Sequence, residues 1–127
     1  MCSEPILFVD DDLISRLLNC AILRECGFTV MEAGSFDEAT RIIQRNPRLA
    51  ALVTDIDLGP GGDGFEVARL ARGADPVLPV IYMSGTEIQR YASEGVGDSR
   101  FIPKPFEPDQ IVRALDDAAR VAPARTH

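Results

Sequence analysis

Four short apolar runs in this chain each lead to a polar side chain. One run ends at Asp55 and is followed by the glycines and proline of residues 59–62, and the other three lead to the triplet of residues 10–12, to Ser84 and to Lys104. Short apolar runs bounded by glycine and proline are typical of buried strands. Ligands of an open parallel α/β sheet bind outside the carboxyl ends of its strands. The sequence therefore predicts that carboxylates, a hydroxyl and an ammonium group converge at one edge of a sheet.

Helical patterns separate the apolar runs, so that strand and helix alternate five times along the chain. Alternation at roughly 20 to 30 residues per unit is the pattern of a parallel sheet with helices on both faces. We therefore predict an α/β fold with a doubly wound five-stranded parallel sheet. The domain is expected to cover residues 4–121, with a loose tail at residues 122–127.

The first two strand–helix units allow specific predictions of where the first helix and the second strand begin and end. Asp11 or Asp12 is expected to cap the first helix, and Gly27 is expected to end it in a left-handed conformation. The second strand is predicted at residues 28–31. The apolar residues of the first helix that repeat at helical spacing, the pattern of an amphipathic helix, are Ile14, Leu17, Leu18, Ala21 and Ile22.

The composition excludes several classes of protein. With 127 residues and 46% apolar side chains, the chain can bury a real core. Its net charge of −7, without an arginine cluster, argues against direct binding to nucleic acid or to anionic membranes. No apolar run approaches the roughly 20 residues that span a bilayer. The three cysteines form no CxxC pair, and we expect reduced thiols in a cytoplasmic protein.

The adjacent carboxylates of Asp10, Asp11 and Asp12 indicate a metal site. Helix capping and surface charge are enough to explain Asp12. Crowding Asp10 and Asp11 beside Asp55, however, raises their pKa values or costs stability unless a cation neutralises them. Mg²⁺ is typically held by one or two carboxylates with waters and a phosphate group. Asp55 is a candidate nucleophile, because carboxylates form acyl phosphates, and Asp57 offers a backbone carbonyl to the metal.

Lys104 is the one lysine among thirteen basic residues, and it lies in the segment Phe101-Ile102-Pro103-Lys104-Pro105-Phe106. In a chain that otherwise uses arginine, a surface charge would be expected to be arginine as well. A compact ammonium group acts as a point charge against carboxylate or phosphoryl oxygens, which a guanidinium fork does not. Lys104 is therefore predicted to belong to the site, and the hydroxyl of Ser84 is a candidate donor to a phosphoryl oxygen.

Together these residues resemble the receiver domain of the response regulators of two-component systems. The resemblance runs from Ile6 to about Arg120 and depends on an ordered set of motifs after strands one, three, four and five: Asp10-Asp11, Asp55, Ser84-Gly85 and Lys104-Pro105-Phe106. It implies a flavodoxin-like (βα)5 fold with strand order 2-1-3-4-5. The glycine-rich segment of residues 59–62 is less usual after the acceptor of this family.

The resemblance also implies a role for each residue. Asp55 would be the phosphoacceptor, and Asp10, Asp11, Asp55 and the Asp57 carbonyl would bind Mg²⁺. Lys104 would contact the phosphoryl group. Ser84 and Phe101 would be the switch positions. Phe101 lacks the hydroxyl of the tyrosine that is common there, so it can swing but cannot form that hydrogen bond.

The implied activity is phosphoryl acceptance from a sensor histidine kinase or a histidine phosphotransfer protein. No output domain follows the last helix, so we expect a stand-alone receiver that signals to a protein partner through helix four, strand five and helix five. It would not be an enzyme beyond its own phosphotransfer and autodephosphorylation. The alternative is a haloacid-dehalogenase-like phosphohydrolase that uses Asp55-Ile56-Asp57, although that motif normally follows the first strand.

Overall fold

The computed structural model describes residues 4–45, 48–85 and 88–121, so the predicted tail at 122–127 lies outside the described residues. Strands and helices alternate through the described part of the chain. Their order is β1 (Ile6–Val9), α1 (Leu13–Glu25), β2 (Val30–Ala33), α2 (Phe36–Arg45), β3 (Ala51–Asp55), α3 (Gly64–Ala74), β4 (Val80–Ser84), α4 (Ile88–Glu94), β5 (Arg100–Pro103) and α5 (Pro108–Val121).

The five strands form one parallel sheet in the order β2-β1-β3-β4-β5. This arrangement confirms the doubly wound α/β fold and the strand order 2-1-3-4-5. The register keeps the carboxyl ends level, since Val9 pairs with Thr54, Asp55 with Met83, and Ser84 with Pro103. The residues that follow these ends therefore meet at one edge.

The core lies in two layers because successive strand residues point to opposite faces of the sheet. Leu7 and Val9 belong to the layer that α2 and α3 cover, and Ile6 and Phe8 belong to the layer that α1 and α5 cover. The strands are buried on both faces, as expected of a parallel sheet between helices. No helix within the described residues is both long and apolar enough to cross a membrane.

The turn after α1 shows why β2 begins later than residue 28. Gly27 has a φ of +98°, which confirms the predicted left-handed stop. The N–H of Gly27 donates to the Arg24 carbonyl, and the N–H of Phe28 donates to the Leu23 carbonyl at 3.1 Å. Phe28 thus still belongs to the hydrogen bonds that close the helix, and pairing with β1 starts at Val30.

The apolar face of α1 does not pack against the core. Cys20 and Leu23 are buried instead, whereas Leu13, Ile14, Leu17 and Leu18 are 54%, 76%, 51% and 59% exposed. Two ion pairs to Glu32 on β2, from Arg16 at 3.2 Å and Arg24 at 3.0 Å, accompany this orientation. Of the predicted stripe, Ile14, Leu17, Leu18 and Ala21 are exposed and Ile22 is half-buried. Together with Leu13, the four exposed residues form a surface that we call the α1 apolar face.

Candidate functional site

The carboxyl ends of β1, β3, β4 and β5 bring the predicted polar residues together. Asp10 follows β1, Asp55 ends β3, Ser84 ends β4, and Lys104 follows β5. Asp10, Asp55 and Ser84 are 0%, 7% and 4% exposed, which is unusual for polar side chains. The Lys104 N–H donates to the Ser84 carbonyl at 2.9 Å, so pairing of β4 with β5 continues up to the lysine.

Lys104 forms an ion pair with Asp55 across the sheet edge. Its Nζ lies 2.9 Å from Oδ1 and 3.0 Å from Oδ2 of Asp55. The aspartate side chain is nearly buried and the lysine side chain is about one third exposed. Because β3 and β5 are separated by β4, the pair joins non-adjacent strands directly over the end of the sheet.

The acidic cluster fits a hard divalent cation. Oxygen atoms of Asp10, Asp11 and Asp55 all lie within 4.8 Å of one another. Oδ1 of Asp10 accepts the Asp12 N–H at 2.9 Å, but its buried Oδ2 has no hydrogen-bond partner among the described residues. A buried charged oxygen without a partner is costly. An oxygen-liganded ion such as Mg²⁺ would satisfy it, with Asp11 exposed at the mouth.

Burial and the charges of neighbouring groups act on the pKa values of Asp55 and Lys104, and Asp55 and Lys104 oppose the effect of burial on each other. Burial raises the pKa of Asp55 to about 7; the Lys104 hydrogen bond works against this rise, and the charge of Asp10 adds to it. Burial acts to lower the pKa of Lys104, but its hydrogen bond to Asp55 and the surrounding carboxylates raise it overall. The lysine is therefore charged at neutral pH, and the metal-free Asp55 takes up a proton near neutrality.

Two residues that the sequence did not single out hold the backbone of Asp55. The Thr54 hydroxyl donates to the Asp55 carbonyl at 2.8 Å. The first residue of α3, Gly64, donates its N–H to the Ile56 carbonyl at 2.8 Å. A Cβ at Gly64 would lie 2.2 Å from the Asp55 carbonyl oxygen, so only glycine fits. The start of α3 thus lies directly against the main chain of Asp55.

The remaining predicted residues lie at the rim. Asp57 is exposed beyond the end of β3, and its carbonyl as a metal ligand stays a prediction. Asp12 is the N-cap of α1 by position, but its side chain makes no capping hydrogen bond, and Asp11 lies outside the helix. Phe101 is half-buried on β5, opposite Tyr82, with its ring 5.2 Å from that of Tyr91.

Comparisons with solved structures agree with this geometry. A crystal structure of a response regulator receiver protein from Sinorhizobium medicae is 34% identical, with a TM-score of 0.89, and the match covers 94% of this chain and 96% of that one. The receiver domain of the hybrid histidine kinase CckA is 30% identical, with a TM-score of 0.77, over 90% of this chain and 97% of that one.

Comparisons of sequence point the same way. A "Putative response regulator NtrX-like" protein of Rickettsia conorii is 33% identical over 124 residues, which are 95% of this chain and 26% of that protein. The chain therefore spans about a quarter of the length of this relative. Residues 6–116 match the family described as "Response regulator receiver domain". With the acidic cluster, the hydroxyl and the lysine at the strand ends, the chain belongs to the receiver domains of response regulators.

Proposed function

We propose that Asp55 accepts a phosphoryl group from a phosphohistidine of a sensor histidine kinase or a histidine phosphotransfer protein. The observation that carries this proposal is the ion pair of Asp55 with Lys104, next to a buried carboxylate oxygen of Asp10 that has no hydrogen-bond partner in the described structure. One side of the acceptor thus faces a cation, and the other faces oxygens suited to a metal. Receiver domains as a family bind Mg²⁺ in an acidic pocket and interact with histidine kinases.

The transfer needs one bond to break and one to form. The P–N bond of the phosphohistidine breaks, and its electron pair returns to the imidazole nitrogen. A P–O bond forms to a carboxylate oxygen of Asp55. Lys104 can follow the phosphoryl oxygens on its flexible stem, and the hydroxyl of Ser84 lies at the neighbouring strand end. A Mg²⁺ ion held by Asp10, Asp11 and Asp55 would neutralise charge on the phosphoryl oxygens.

The donor binds at the α1 apolar face. This surface begins with Leu13 and Ile14, immediately after the carboxylates of the site, and four of its side chains are more than half exposed. Contiguous exposed apolar side chains mark interaction surfaces. A donor that lies on this face would carry its phosphohistidine toward Asp55, because the face begins directly after the carboxylates of the site.

The readout lies on α4, β5 and α5, through which the receiver signals to a downstream protein. Ser84 and Lys104 end the strand pair that borders this surface, and Phe101 lines a groove of about 510 Å³ between β5 and α5. The chain acts as a phosphoacceptor, with phosphotransfer and dephosphorylation at its own Asp55 as its only chemistry. We place it in the cytoplasm, which the free thiols of Cys20 and Cys26 support.

The phosphohydrolase alternative receives no specific support. It requires the side chain of Asp57 to act as a general acid beside Asp55, but Asp57 is exposed beyond the strand. It also places the motif after the first strand, whereas Asp55 ends β3. Turnover of an aryl phosphate separates the two functions, because a receiver is expected to show essentially none.

Labelling with ³²P-acetyl phosphate and Mg²⁺ tests the proposal. Asp55→Asn keeps the shape of the side chain but removes the nucleophilic carboxylate, so incorporation should fall to background. Asp57→Asn is the matched control, and it should still reach stoichiometric labelling because its side chain lies at the rim. Stoichiometric label on Asp55→Asn, or steady aryl phosphate turnover by the wild-type protein, would contradict the assignment.

A further inference from the structure

Four aromatic rings form a row from the interior to the surface made by α4 and β5. Their centroids are 5.1 Å apart for Phe65 and Tyr82, 5.6 Å for Tyr82 and Tyr91, and 5.2 Å for Tyr91 and Phe101. These separations lie within the range of favourable aromatic pairs. Phe65 and Tyr82 are buried, whereas Tyr91 and Phe101 are half-buried. The row thus ends at Phe101, one of the two predicted switch positions.

Both tyrosine hydroxyls of this row hold the loop of residues 95–99, between α4 and β5. The Val96 N–H donates to the Tyr82 hydroxyl oxygen at 3.2 Å, and the Tyr91 hydroxyl donates to the Ser99 carbonyl at 2.8 Å. A Cβ at Gly95 would lie 2.7 Å from the Tyr91 ring, so glycine permits this close approach. Because Ser99 directly precedes β5, Tyr91 ties α4 to the start of the strand that carries Phe101.

We propose that Tyr91 is a latch that holds the α4–β5 loop and Phe101 in the unphosphorylated arrangement. The inference rests on the proposed function, since it presupposes a phosphoryl group on Asp55. Phe101 has no hydroxyl with which to fix either of its positions, and its ring leans on Tyr91. When Phe101 turns toward Ser84, Tyr91 loses this support and its hydrogen bond to Ser99. The Ser99 end of the loop and the Tyr91 side chain on α4 then move together, while Val96 stays on the hydroxyl of Tyr82.

The latch acts on populations. An interaction present in one of two states holds the molecule in that state, and its removal lowers the cost of reaching the other. The apparent affinity for a ligand of the second state rises by the same factor, provided that the second state is the minor one. The hydroxyl of Tyr82 acts differently in this scheme, because Tyr82 lies on β4 and its bond to Val96 persists in both states.

Two conservative variants test the latch with Mg²⁺ and beryllofluoride, which mimics a phosphoryl group on a carboxylate. Tyr91→Phe keeps the ring row but removes the latch, so calorimetry should show beryllofluoride binding about fivefold more tightly than in the wild-type protein, the effect of one net hydrogen bond. Tyr82→Phe removes the other hydroxyl from the same loop, and its affinity should equal that of the wild-type protein.

Tyrosine fluorescence gives a second readout, which can be made on the wild-type protein itself. The chain has no tryptophan and two tyrosines, and both belong to the row. Beryllofluoride should change the emission of the wild-type protein and of Tyr82→Phe, in which Tyr91 is the emitter. An unchanged wild-type emission upon demonstrated binding would overturn the latch.

The outcomes also separate the latch from the proposed function. If the wild-type protein fails to bind beryllofluoride with Mg²⁺, the phosphoacceptor site itself is refuted, and the latch with it. If the wild-type protein binds but Tyr91→Phe binds equally well, or if both variants gain affinity alike, the site stands and the latch is wrong.

Discussion

At the scale of single residues, the burial of Asp55 and the charge of Lys104 have opposite effects on the pKa of Asp55. Burial favours the neutral acid, and the ammonium group favours the carboxylate, with a pKa of about 7 for Asp55 as the result. A carboxylate that is costly to keep charged in the free protein is stabilised by whatever brings positive charge to it. We therefore expect a bound cation to stabilise the site.

This balance predicts how stability depends on pH in metal-free solution. The folded protein holds the Asp55 proton more tightly than the unfolded chain, whose pKa is near 3.8. The stabilisation is complete below about pH 4 and is lost as the pH rises through about 7. Asp55→Asn lacks this loss, so at pH 8 it should be more stable than the wild-type protein, by about 1 to 3 kcal/mol after loss of the Lys104 pairing.

Urea unfolding in chelator between pH 4 and pH 8 measures the effect. The difference between Asp55→Asn and the wild-type protein should grow with pH, and Asp57→Asn, a substitution at an exposed carboxylate, is measured beside it as the control. If the stability difference between Asp55→Asn and the wild-type protein does not vary with pH, burial does not raise the pKa of Asp55 in the folded protein.

Among single residues, the sequence identifies the charged residues of the site but misses the residues that contact the backbone of Asp55. Lys104 stands out because it is a lone lysine in an arginine-rich chain. Thr54 and Gly64 give no comparable signal. The Thr54 hydroxyl bonds the carbonyl of the next residue, Asp55, and Gly64 matters only once the start of α3 meets the main chain of Asp55.

Among the elements, α1 shows what helical spacing can and cannot predict. The repeat correctly identifies residues that share one face of the helix. It does not say which face meets the sheet, because Cys20 and Leu23 supply a second, smaller apolar surface that is the buried one. Alternation of strands and helices is more informative, since it predicted all five units, and only a boundary such as that of β2 depended on local hydrogen bonds.

The α1 apolar face predicts a selective loss of donor recognition. Ile14→Gln with Leu17→Gln removes two exposed side chains, so phosphoryl transfer from the histidine kinase that labels the wild-type protein fastest should slow by about tenfold or more. Labelling by acetyl phosphate should be unchanged, and stability should move by less than about 0.5 kcal/mol, as is usual for surface changes.

Leu70→Gln on α3, where Leu70 is 39% exposed, is the control for this pair of substitutions. It should leave both reactions at the wild-type rate. Equal slowing of kinase and acetyl phosphate labelling in the α1 variant would indicate damage to the site instead, and full transfer from the kinase would place the donor elsewhere.

For the whole molecule, the acidic cluster predicts that stability is linked to Mg²⁺. A ligand that binds only the folded state stabilises it by about 2.7 kcal/mol when its free concentration is 100 times its Kd. Mg²⁺ should therefore raise the melting temperature of the wild-type protein. In Asp11→Ala the increase should shrink, because one of three clustered carboxylates is lost.

Asp12→Ala provides the comparison, since Asp12 is adjacent in sequence but makes no side-chain capping bond and is not part of the cluster. It should keep the full response to Mg²⁺ in a thermal melt. If Asp11→Ala and Asp12→Ala respond alike, the effect of the ion is a general one on a chain of charge −7 rather than binding at this site.

The pairing of Lys104 with Asp55 has a chemical consequence for the molecule as a whole. Lys104 carries the only side-chain primary amine in these 127 residues. Acylating reagents that modify lysines broadly in other proteins therefore meet a single lysine here, and its pairing with Asp55 favours the protonated amine and so slows acylation. One acyl group, visible as a single mass increment, would remove the positive charge from the site. Because the chain uses arginine elsewhere, Lys104 is the one lysine at which acylation could remove positive charge from the protein.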